Sequence, residues 1–103
     1  MTKAEISPGA CGFTTIVIAS TEGTNCILSI ESECEAVQQI ASELTCVEPF
    51  HEISFRKGIP KTLEIGVKYC KHAACPVPIG IIKAVEVEAK LNLPKDVTIK
   101  ITK

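Results

Sequence analysis

The run Phe13-Thr14-Thr15-Ile16-Val17-Ile18-Ala19-Ser20 constrains the fold more than any other stretch of the sequence. It is β-branched and apolar on both faces, as a strand is when it lies at the centre of a sheet or is covered on two sides. Thr21-Glu22-Gly23-Thr24-Asn25 then carries turn residues. Beyond it Cys26, Leu28 and Ile30 alternate with Ile27, Ser29 and Glu31, which predicts a hairpin.

Helical signals follow. Ser32-Glu33-Cys34-Glu35 has the Ser-x-x-Glu form of a capping box, and Val37, Ile40, Ala41 and Leu44 share one face, so the spacing predicts a helix to about Thr45. Phe50, Ile53 and Phe55 suggest one short helical turn before Pro60. Thr62–Cys70 fits two periods. Leu63, Ile65, Val67 and Tyr69 alternate like a strand, but Ile59, Leu63, Gly66, Val67, Cys70 and Ala74 form a longer helical stripe behind Pro60, and helix is the preferred reading. Another helix starts at Cys75-Pro76-Val77-Pro78, with Ile81, Ile82, Val85 and Ala89 as its stripe, a Glu86–Lys90 pair on its wet side, and Leu93-Pro94 as its end. Val97, Ile99 and Ile101 alternate with Thr98, Lys100 and Thr102, predicting a last strand that pairs with the hairpin.

The expected fold is α+β, with helices packed on one face of a small, mainly antiparallel three-stranded sheet in the order β-β-α-α-α-β. With 103 residues, one domain spanning 1–103 is expected, and 46% apolar against 22% charged residues is enough for a packed core. The formal charge is −1, with a single arginine, Arg56, against ten scattered lysines, so no nucleic-acid partner is expected. No run approaches the roughly 20 apolar residues that cross a bilayer, and Met1-Thr2-Lys3-Ala4-Glu5 lacks a signal peptide's apolar stretch. The expected location is cytoplasmic with no membrane partner, where thiols stay reduced.

The chain has six cysteines. In a reducing compartment that number points to metal binding, thiol chemistry or core packing rather than to disulfides. Cys34 falls in the first turn of a capped helix, and Cys75 at the proline-marked start of another, where unpaired amides favour a thiolate. Cys11 sits in Ser7-Pro8-Gly9-Ala10-Cys11-Gly12, whose glycines permit a turn with amides facing a sulfur. These three boundary cysteines are candidates to converge at one end of the domain. They lie 23 and 41 residues apart, match no zinc-ribbon spacing, and the chain has no C-x-x-C. His72 or Cys70 is the candidate fourth ligand. Zinc or an iron–sulfur cluster would suit such a shell. Cys26 reads as core, as does Cys70 on its apolar face, and Cys46 reads as a loop plug. His72 reads first as a surface histidine.

The motifs Ser7-Pro8-Gly9-Ala10-Cys11-Gly12-Phe13, Ser32-Glu33-Cys34 and Cys75-Pro76-Val77-Pro78 resemble those of a small uncharacterised prokaryotic family of short, cysteine-bearing proteins, over nearly the whole chain. The resemblance implies a low-oxygen, cytoplasmic setting, as in anaerobes, and no mechanism.

Three functions are expected in this order: a domain binding zinc or an iron–sulfur cluster through Cys11, Cys34, Cys75 and His72 or Cys70; a thiol–disulfide redox protein; and a metal-free interaction or homodimer-forming module. The last rests on Ile79, Val87 and Leu91, outside the main stripe of the final helix, and on an unpaired sheet edge.

Overall fold

A computed structural model describes residues 1–103. Its sheet is an antiparallel meander in the order β1 (Thr2–Ile6), β2 (Thr15–Glu22), β3 (Asn25–Ser32) and β4 (Cys46–Val47). The helices are α1 (Glu35–Glu43), α2 (Pro49–Glu52), α3 (Lys61–Tyr69) and α4 (Val77–Glu88). The α+β class holds, and the expected β-β-α-α-α-β becomes β-β-β-α-β-α-α-α.

The hairpin forms where the sequence places it. Thr15 pairs with Ser32 and Glu22 with Asn25, leaving Gly23 and Thr24 as a two-residue turn. Gly23 takes φ +62 at the first turn position, the type II′ arrangement that matches the twist of the strands and excludes a β-branched residue there. β2 is central, as its two-faced apolar run requires. Thr15, Val17 and Ala19 are fully buried under helices, whereas Ile16 and Ile18 on the opposite face are only half-buried.

β1 was not expected. Thr2–Ile6 alternates, but only Ala4 and Ile6 are apolar, too short a signal beside Lys3 and Glu5. Its pairing with β2, Ala4 opposite Val17 and Ile6 opposite Thr15, supplies what the local sequence does not. The expected carboxyl-terminal strand does not form within the chain. Val97, Ile99 and Ile101 are exposed and lie outside every ladder, because the edge they would occupy beside the hairpin is taken by β1.

α4 lies over β1 and β2, α1 over β3, and α3 packs between α1 and α4. The core joins Val17, Ala19, Cys26 and Leu28 of the sheet to Val37, Ile40 and Leu44 around α1 and to Val77, Ile81, Ala84 and Val85 of α4. α4 approaches β1 so closely that a methyl group on Gly80 would collide with the Ile6 side chain. Ambiguous Thr62–Cys70 is helix, as preferred: its Gly66 faces Pro78 of α4, where a side chain would meet Pro78 Cγ at 2.9 Å.

Two helix boundaries differ from expectation. α1 begins one residue past Cys34, which is itself the N-cap; Ser32 Oγ accepts from the Cys34 amide at 3.1 Å, so the Ser32–Glu35 capping box does not form. α4 stops at Glu88, before Leu93-Pro94. Lys90 adopts φ +63, and the amides of Lys90 and Leu91 bond back to the carbonyls of Val87 and Glu86, a Schellman closure. Lys90 thereby leaves the helix, and the expected Glu86–Lys90 pair is replaced by Lys83–Glu86 at 3.9 Å.

Two buried or half-buried carboxylates fasten the ends of elements. Glu88 accepts from Thr2 Oγ1 at 2.8 Å and from the amide and hydroxyl of Thr21 at 2.9 and 2.8 Å, tying the end of α4 to β1 and the hairpin. Glu52 accepts from the first amides of α3, Lys61 N at 3.0 Å and Thr62 N at 2.8 Å, and so caps that helix from outside its own sequence.

Candidate functional site: a corner of three thiols

Ile6, Thr15 and Ser32 stand in register across β1, β2 and β3, which marks one end of the sheet. Cys34 follows Ser32 there as the N-cap of α1. Cys70 is the C-cap of α3, its amide bonded to the Gly66 carbonyl at 2.8 Å. A tight connection, Lys71–Ala74, then returns the chain to Cys75, whose amide bonds to His72 O at 3.3 Å, and α4 starts two residues later. Cys34, Cys70 and Cys75 are all half-buried and packed against the core, and all six cysteines are free thiols.

Cys75 and Cys34 act on Cys70. The Cys70 thiol is pushed up to about 11, first by burial, next by the charge and hydrogen bonding of Cys75, and then by the charge of Cys34. Burial removes the water that would stabilise a thiolate, and a neighbouring thiolate repels a second one. At neutral pH Cys70 therefore keeps its proton.

The other sequence candidates stand apart. Cys11 is on the loop from β1 to β2, at the same end of the sheet, but it is exposed and absent from the groups that act on Cys70. His72 is exposed on the connection between Cys70 and Cys75. No three of the chain's histidine, cysteine, aspartate and glutamate side chains form a group able to hold a metal ion. Of the cysteines expected to converge, Cys34 and Cys75 both act on Cys70, and Cys11 is exposed on the β1–β2 loop.

On the sequence Cys70 reads first as core, because it lies on the apolar stripe of its helix. It does pack on the core, yet it also closes the helix. The sequence signal for the pairing is Cys70-Lys71-His72-Ala73-Ala74-Cys75 itself, a helix end and a proline-marked helix start joined by four residues. Cys26 is core at 1% exposure, its thiol raised by burial and then by Glu88. Cys46 is half-buried in β4 rather than in a loop.

Beside this corner Gly12, Phe13, Thr14, Ile16, Glu31, Ser32 and Glu33 line a shallow open groove of about 400 Å³. Its carboxylates lie one residue from Cys34 and on the strand that leads to it. No helix is long and apolar enough to cross a membrane.

A family model described as a family of unknown function (DUF6951) matches residues 2–101. No curated protein and no solved structure matches the chain.

Proposed function

The chain belongs to the family of unknown function DUF6951, and for it we propose thiol–disulfide exchange in which Cys70 and Cys75 are the working pair and Cys34 the adjoining third thiol. The observation that carries this reading is that Cys75, across a four-residue connection, and after it Cys34 act on the half-buried Cys70 thiol. Of these neighbours Cys75 acts on Cys70 by both charge and hydrogen bonding, and the two are joined by only four residues, so a small movement of that connection is what a disulfide between them would need.

The chemistry assigns different roles to the pair. Cys75 Sγ, as thiolate, attacks one sulfur of a disulfide substrate R–S–S–R; that S–S bond breaks, R–S⁻ leaves and takes up a proton, and a Cys75–S–S–R mixed disulfide remains. Cys70, protonated until then, gives up its proton and attacks Cys75 Sγ, releasing the second R–SH and leaving a Cys70–Cys75 disulfide. Two protein thiols are oxidised and one substrate disulfide is reduced to two thiols. The raised Cys70 thiol suits the second step, since it does not compete for the first.

Metal binding through the same cysteines is less well supported. It requires Cys11 or His72 to join the other three, and both are exposed apart from them. Elemental analysis of untagged, anaerobically purified protein separates the two readings: one zinc or iron per chain, lost in Cys75→Ser, would favour the metal.

The direct test is to treat the reduced Cys70→Ser protein with oxidised glutathione. Without its second thiol, Cys75 accumulates as a glutathione adduct, read as an added mass located on Cys75. If Cys75 stays unmodified while exposed Cys11 reacts, the proposal fails.

A further inference from the structure

The sequence of residues 96–102 has the alternation of a strand, yet none of the backbone groups from 96 to 103 bonds to the rest of the chain. Val97, Ile99 and Ile101 are 59, 76 and 91% exposed. Three exposed apolar side chains in alternation are unfavourable in water unless something covers them.

The same molecule offers a matching vacancy. β1 pairs with β2 on one side and with nothing on the other, so one row of its amides and carbonyls is free to accept another strand. The opposite edge of the sheet does not compete. β4 has two residues, and Lys61 Nζ already donates to its Cys46 carbonyl at 3.2 Å.

The two segments fit in length, pattern and charge. β1 is five residues long, the same as Val97–Ile101. Ala4 and Ile6 point to the helix side of β1 and Lys3 and Glu5 to the open side. A strand with Val97, Ile99 and Ile101 on the helix side would meet the flank of α4, where Gly80 packs on Ile6 and half-buried Val87 follows two turns later on the same face. Thr98 and Lys100 would then fall beside Lys3 and Glu5, with Lys100 able to pair with Glu5.

Glu88 fixes the end of α4 at Thr2 and the left-handed Lys90 then turns the chain, yet residues 97–101 form no ladder with their own β1. The molecule is 43 Å long against 27 and 26 Å in its other dimensions. We infer that Val97–Ile101 of one copy adds as a strand to the β1 edge of a second copy, giving a homodimer that exchanges its carboxyl-terminal arms.

Sedimentation equilibrium of the full chain at micromolar concentration is the test. The expected mass is twice 11.0 kDa, and a monomer overturns the inference. The double variant Ile99→Lys/Ile101→Lys, altered only where side chains are exposed, is expected to be monomeric with the helical circular dichroism signal retained; if it remains dimeric, the arms are not the interface. Hydrogen exchange on the unmodified protein gives a second reading. Amides of 97–101 protected in the dimer and released on dilution support exchange. Free exchange in the dimer, or protection that persists in a monomer and so places the arm on its own β1, overturns it.

Discussion

Glu52 and Thr62 are joined twice: one carboxylate oxygen, Oε1, accepts both the amide and the hydroxyl of Thr62, ten residues along the chain. Both residues are buried, at 2 and 0% exposure. α2 has only four residues, so its value to the fold lies less in its own turn than in delivering this carboxylate to the amides of α3. Because α3 ends at Cys70, Glu52 indirectly fixes the thiol corner.

Removing that carboxylate leaves Thr62 Oγ1 and the Lys61 and Thr62 amides without an acceptor. Glu52→Ala is expected to lose about 3 kcal/mol of stability, in the range of charge-assisted hydrogen bonds left unpaired by burial. Glu52→Gln, which keeps one acceptor oxygen, should lose roughly half as much. Urea unfolding checks the order; an alanine variant as stable as the parent would contradict it.

Glu88 predicts a pH dependence. Hydrogen bonds from the Thr2 hydroxyl, then from Thr21, hold its carboxyl below the ordinary carboxylate value. A depressed carboxylate contributes stability that is complete above its unfolded value of about 4.3 and is lost as pH falls through the lower folded value. Glu88→Gln should therefore be less stable than the parent at neutral pH and approach it below about pH 4. Thermal midpoints across that range decide, and a constant difference at all pH values would contradict the role of the charge.

Thr15 is a buried position at which the sequence is not optimal for stability. Its hydroxyl is fully buried and has no hydrogen-bond partner. Thr15→Val keeps the β-branched shape and removes the unpaired group, and should raise stability by about 1 kcal/mol. A loss of stability would mean that the hydroxyl is satisfied in solution.

The cysteines should differ in their rates of alkylation. Iodoacetamide reacts with thiolates, so at pH 8 exposed Cys11 is expected to react first, with buried Cys26 and raised Cys70 last. Cys75→Ala removes the neighbour that most raises Cys70 after burial, and should speed Cys70 alkylation at that pH. An unchanged rate would mean that the two thiols do not interact.

These residues also show what the sequence could disclose. The hairpin was legible from its apolar central run and the alternation after its turn. α3 was legible as a helix because its helical stripe outlasts the competing alternation, but the face it buries is that of Thr62 and Gly66 with Ile65, Tyr69 and Cys70, while Ile59 and Val67 of the expected stripe are exposed. β1 was not legible, since two apolar residues in five become a strand only through β2. The carboxyl-terminal segment has the strand pattern without a partner in its own chain, a reminder that alternation reports which side chains want cover and not where the cover is. At the site, Cys34 and Cys75 were recognisable from helix-start chemistry. Which further thiol joined them depended on the packing of α3 between α1 and α4, a tertiary fact that no local motif around Cys70 or Cys11 contains.

The most direct measurement is a tryptic peptide map of the protein equilibrated in a glutathione redox buffer and quenched in acid. Cleavage after Lys71 separates Cys70 from Cys75, so their disulfide appears as a pair of linked peptides that reduction releases. That linked pair is expected as the first and reversible product, with Cys11 and Cys26 outside it. Recovery of Cys70 and Cys75 as unlinked peptides, at any ratio of oxidised to reduced glutathione, would contradict that expectation.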